Sequence, residues 1–158
     1  MNSSQEFLHI LARVKFASRY YELCASASVP IAERVKKISA KELLVAMQSY
    51  LKVRKERGPG IVFAFDDEEL SKHDLEFAVV FSSYGCSFDP CLTYIPQSGE
   101  RFGGNFPGLA SDSAKLENVS PPNPPYPRPE FAHANELPVL VMRCLEIARD
   151  VARALPQK

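Results

Sequence analysis

Four consecutive carboxylates, Asp66-Asp67-Glu68-Glu69, with Asp74 and Glu76 close behind, come nearest to chemistry by type and spacing in this chain. Such a group can hold a divalent cation, supply an acid/base pair or dock a basic partner. A hard cation needs several oxygens converging from defined positions. Four neighbours in a row cannot all point inward, and neither EF-hand spacing nor a central glycine accompanies them, so no metal site is assigned. The run also fits a solvated turn between two strands. As a docking surface it suits a basic protein, because complementary charge speeds encounter and excludes wrong partners.

A second set of polar residues falls in expected loops: Tyr84, Cys86, Asp89, Arg101 and His133. Loops on a rigid scaffold often carry binding groups, and convergence of these five would line a ligand pocket. Cys86 and Cys91 are spaced for a loop disulfide or half a metal site. A second ligand pair is missing, however, and His9, His73 and His133 are scattered. Cys24 and Cys144 fall on apolar helix stripes, where a thiol behaves as a small hydrophobe. Ser82 and Ser83 lack a Gly-x-Ser-x-Gly context. The glycines of Arg101-Phe-Gly-Gly-Asn-Phe-Pro-Gly108 form neither a P-loop nor a dinucleotide fingerprint. The basic run Lys52, Arg54, Lys55 and Arg57 comes without any nucleic-acid-binding motif and complements the dipole of an expected helix end. No catalytic residue and no cofactor is assigned, and nucleic acid is not the expected partner.

Charge is segregated within a net charge of zero. Residues 1–57 carry eleven Lys/Arg against five Asp/Glu, a balance of +6, whereas residues 58–118 carry three against ten, a balance of −7. A neutral chain with two charged regions is suited to meeting a charged partner. The apolar runs fall far short of the ~20 residues that span a bilayer, so no membrane association is expected. The first residues lack a basic segment followed by an apolar one, and the cytoplasm is the expected compartment.

The elements that must position these groups follow from periodicity. Ser3-x-x-Glu6 has the form of a capping box, and Phe7, Ile10, Leu11, Val14, Ala17, Tyr21 and Cys24 continue as one helical stripe. That helix should end near residues 26–29. Pro30 opens a short turn through about Lys37. Ser39-x-x-Glu42 starts a second helix, expected to run to about Glu56 and to stop at Gly58-Pro59-Gly60. Residues 61–95 read as a three-strand β-meander, with strands over 61–65, 75–83 and 91–95 joined by turns, residues 84–90 forming the second connection. Residues 96–134 lose periodicity, and six prolines within 119–131 favour an extended strap. Phe102, Phe106, Leu109, Tyr126 and Phe131 should pin it to the body. The stripe from Leu137 to Leu155 gives a C-terminal helix over 135–156, with Pro138 in its first turn, where a missing N–H is harmless.

The expected architecture is thus a single α+β domain over residues 1–158, helical over 1–57. Two N-terminal helices and one C-terminal helix pack on a small antiparallel meander, with a proline-rich irregular strap. Its core should hold Leu11, Val14, Leu43, Met47, Phe63, Val79, Phe81, Leu140, Val141, Cys144 and Leu145. The expected function is a non-enzymatic protein-binding module docking a basic partner through Asp66, Asp67, Glu68 and Glu69. Its most concrete form is a toxin-neutralising (immunity) protein. The alternative is a small enzyme or ligand-binding domain with a pocket between sheet and strap. An exposed sheet edge would also permit a homo-oligomer.

Overall fold

Alternation of large and small side chains over residues 61–94 builds the sheet that carries everything else. The computed structural model describes residues 3–33, 38–81 and 86–156. Five strands, β1 (Val53–Lys55), β2 (Ile61–Phe65), β3 (Leu75–Phe81), β4 (Phe88–Tyr94) and β5 (Phe102–Asn105), pair antiparallel in chain order. Phe63 lies opposite Val79, Val79 opposite Pro90, and Leu92 opposite Gly104. Because side chains alternate across a pleated strand, Phe63, Phe65, Leu75, Phe77, Val79, Phe81, Phe88 and Leu92 share one face. All are buried in the core.

Helices cover that face: α1 (Ser3–Arg13), α2 (Phe16–Ser26), α3 (Ala40–Gln48), α4 (Glu68–Lys72), α5 (Phe106–Glu117) and α6 (Leu137–Ala154). They contribute Leu11, Phe16, Tyr20, Met47, Leu70, Phe106, Val141 and Leu145 to the same core. The architecture is α+β, as expected. The expected core residues are all buried except Val14, which is half-buried at a break in the first helix. There Lys15 adopts a left-handed conformation, φ 58°, and divides one apolar stripe between α1 and α2.

Three further expectations are corrected. The second helix, capped by Ser39 as expected, stops at Gln48 and not near Glu56. Val53 pairs with Phe65, so Arg54 and Lys55 of the basic run belong to edge strand β1, with Lys52 and Arg57 flanking it, and the run complements no helix end. The stripe Leu43, Met47, Leu51 concealed that change of period. The third strand begins at Phe88 and includes residues assigned to a loop. Pro90 is tolerated there because β5 pairs only with residues 91–94, leaving Pro90 on the unpaired side of β4. Finally, the connector over 96–134 contains β5 and α5. Asn105 caps α5 by accepting from the Gly108 N–H, and Pro107 occupies the first turn, so a run rich in turn residues is a strand end and a helix start.

What remains irregular, residues 118–133, is a tethered strap. The Tyr20 hydroxyl donates to Pro127 O at 2.7 Å, Glu130 N–H to Ala27 O at 2.8 Å, and Phe131 N–H to Cys86 O at 2.6 Å. Phe131 is buried against Phe81 and Phe88. Phe106 and Leu109 are buried with it and Phe102 is half-buried, whereas Tyr126 is exposed. Among the described residues no helix is long and apolar enough to cross a membrane.

Candidate functional site

The acidic run is divided by the elements that hold it. Asp66 follows β2 and accepts a hydrogen bond from Arg54 of β1. Asp67 caps α4, its Oδ2 accepting from Leu70 N–H at 3.2 Å. Its Oδ1 accepts from Arg149 of α6, at 2.6 Å from Nη2 and 3.1 Å from Nε. Burial pushes the Asp67 carboxyl up, but Arg149 and the Leu70 N–H outweigh it and hold the pKa below the ordinary carboxylate value. Glu69 receives a two-pronged contact from Arg153, 2.6 and 2.9 Å. Arg153 also reaches Asp150 at 2.8 Å, and Asp150 pairs with Arg19 at 2.7 Å. Glu68 is exposed and makes no ion pair among the described residues. Three of the four carboxylates are therefore tied to arginines. No group of three or more His, Cys, Asp or Glu is placed to hold a metal among the described residues.

The four expected pocket residues that are described, Cys86, Asp89, Arg101 and His133, are not gathered at one site. Tyr84, like Ser82 and Ser83, lies outside the described residues. Cys86 is buried, its Sγ 3.8 Å from Glu130 Oε2. Asp89 pairs with Arg128 of the strap at 2.8 Å. His133 is exposed at the start of a 3₁₀ turn, its backbone N–H donating to Glu136. Arg101 is exposed beside Phe102, which faces Tyr94, at the opposite end of β4 from Asp89. At ~3.4 Å per strand residue, that end is roughly 20 Å away.

The cysteines are thiols, not a disulfide. Burial pushes Cys24 up to about 12, and burial with Asp89 pushes Cys91 up to about 11, so neither is a thiolate nucleophile near neutrality. The Gly103-Gly104 pair is the inner part of β5. A β-carbon on Gly103 would stand 2.1 Å from Leu92 O, so the glycine admits the neighbouring strand and not a ligand.

Two other surfaces are assembled. The first is the sheet face opposite the helices. Val62 lies beside Val80, and Ala64, Ala78 and Cys91 form the next row. Val62, Ala64, Ala78, Val80, Cys91 and Thr93 are half-buried, and none belongs to the core. An antiparallel sheet wet on one side ordinarily alternates apolar-in with polar-out, yet the centre of this face is apolar and small. Its margin is charged. Arg54, Glu76 and Asp89 lie on the same face by alternation, and the backbone bonds Glu56 N–H to Val62 O and Asp66 N–H to Lys52 O extend the pairing to Glu56 and Asp66. Glu56, Asp66, Glu76 and Asp89 thus stand among Lys52, Arg54 and Arg128, so the margin carries both signs of charge. The period-two placement of Val62, Ala64, Ala78 and Val80 was the sequence signal for this face. It was legible only once the helices were known to take the other side.

The second is a groove of about 780 Å³ between α1, the β4–β5 connection and the turn after α6. Phe7, Tyr94 and Phe102 form its aromatic floor. Phe7 stacks on Tyr94 with ring centres 5.6 Å apart and planes 18° apart, and Tyr94 meets Phe102 at 6.2 Å. Glu6, His9 and Arg13 of α1 rim it and are exposed. Their spacing on the outer side of an amphipathic helix is that of ordinary solvated residues, so nothing in the sequence marked them.

No family model, curated protein or solved structure matches this chain.

Proposed function

We propose that the protein is a non-enzymatic protein-binding module that docks a basic partner on the open face of its sheet. The observation that carries this reading is an apolar, small-residue sheet centre left uncovered by the described helices, with four carboxylates in its charged rim. An apolar patch inside a polar rim is the usual composition of an interaction surface. The acidic middle of the chain supplies β2, β3 and β4, so the patch and three of the rim carboxylates, Asp66, Glu76 and Asp89, come from one segment. Within the acidic run, Asp66 belongs to this rim and Glu68 adds exposed charge nearby, while Asp67 and Glu69 act mainly on α6. A toxin-neutralising protein that covers a basic enzyme is the most concrete version. A cytoplasmic location accords with four free thiols.

The test compares the wild-type chain with Ala78→Arg and Glu76→Lys in capture from native lysate at low salt. The expected result is a basic protein retained by the wild type, released by salt and reduced at least about tenfold on either variant. Equal capture by wild type and both variants, or a wild type that only pairs with itself through this face, overturns the reading.

A further inference from the structure

We propose that the groove beside α1 binds a short zwitterionic peptide carrying an aromatic side chain, independently of the sheet face. Its charged wall is dipolar: Glu6 and Arg13 are seven residues apart on α1, about 10 Å along the axis at 1.5 Å per residue. Both are exposed, and neither forms an ion pair among the described residues. An extended tripeptide spans about 10 Å at ~3.3–3.6 Å per residue, so its ammonium can meet Glu6 while its carboxylate meets Arg13. The rings of Phe7, Tyr94 and Phe102 line the same groove, and a central aromatic side chain can stack on them. Gln97 and Ser98 line the groove as well and offer hydrogen bonds to peptide groups. The volume of about 780 Å³ is that of a pocket for a small ligand, not for a folded domain.

Glu6 in the first turn and Arg13 in the last also complement the dipole of α1. A useful test must therefore separate binding from helix stability, and altering the peptide does so with the protein unchanged. Gly-Phe-Gly, its N-acetylated form and its C-terminal amide are titrated into the full chain and followed by NMR shifts of backbone amides. The free peptide should bind saturably, with shifts centred on Phe7, Tyr94 and Phe102. Blocking either end should weaken it about threefold, the scale of one exposed ion pair. Acetylation should cease to matter in Glu6→Gln, amidation should cease to matter in Arg13→Gln, and Phe102→Ala should weaken all three peptides. Thermal melts confirm that each variant is folded. No saturation at millimolar peptide, shifts located elsewhere, or indifference to both end blocks overturns the proposal.

Discussion

Glu117, at the last turn of α5, does the work of a helix cap for an element a hundred residues away. Its Oε2 accepts from Ala17 N–H at 2.8 Å, and its Oε1 accepts from Ser18 N–H at 3.2 Å and Ser18 Oγ at 2.9 Å. The buried Ser113 hydroxyl donates to it as well. Lys15, which precedes α2, offers no side-chain cap of its own, so the first amides of α2 depend on this carboxylate. Glu117→Ala should cost about 2–3 kcal/mol in urea unfolding, the scale of charge-assisted hydrogen bonds plus a stranded buried hydroxyl. Glu117→Gln, which keeps one acceptor oxygen, should cost less. A loss below about 0.5 kcal/mol for the alanine variant would mean that water replaces the cap. Nothing in the sequence around residue 117 announces this role, because its partners are remote in sequence. The local caps at Ser39 and Pro138, by contrast, were legible from residues within one turn.

Elements were legible in proportion to how far local pattern decided them. Strands β2 and β3 and helix α6 carry unbroken periods, and the structure keeps them. Edge strand β1 escaped because Arg54 and Lys55 resemble a helix end, yet charged residues on a short edge strand also discourage edge-to-edge association. Strand β5 and α5 escaped because their glycines resemble a loop. Gly103 is required by its neighbour: φ is +125° and Leu92 O occupies the space where a side chain would begin. Gly104, at φ +154°, has open space around it. Gly103→Ala should therefore cost about 2–4 kcal/mol and loosen β5 from β4. Gly104→Ala should cost roughly 1 kcal/mol, from backbone strain alone. Amide hydrogen exchange of residues 91–94 checks the loosening, and equal losses in the two variants would remove the steric argument.

Over the whole molecule, charge segregation along the sequence becomes charge pairing across the fold. Arg54 meets Asp66, Arg149 meets Asp67, and Arg153 meets Glu69. The imbalance read from the sequence was real, but the sequence could not show that α6 would return to neutralise part of it. The Asp67 carboxyl is lowered in the folded state, so its contribution is complete above the ordinary carboxylate pKa, about 3.9, and is lost as pH falls through the folded value. Stability of the wild type should decline below about pH 4 for this reason, among others. Asp67→Asn should be less stable at neutral pH, because Arg149 then lacks its counter-charge. It should also show a shallower acid decline. Parallel pH profiles of wild type and variant would mean that Asp67 does not sense the fold.

The strap and the Glu117 cap also bear on how the chain is made. A meander needs only neighbouring segments, so the sheet can assemble as β1 to β5 emerge in order. Helix α2, however, receives its cap from Glu117, its tether for Tyr20 from Pro127, and the contact to Ala27 from Glu130. At about 5–20 residues per second of synthesis, those partners arrive roughly 5–20 s after α2 leaves the ribosome. During that interval the apolar stripe of the first two helices lies open to nascent-chain chaperones. The first helices made are among the last to be sealed.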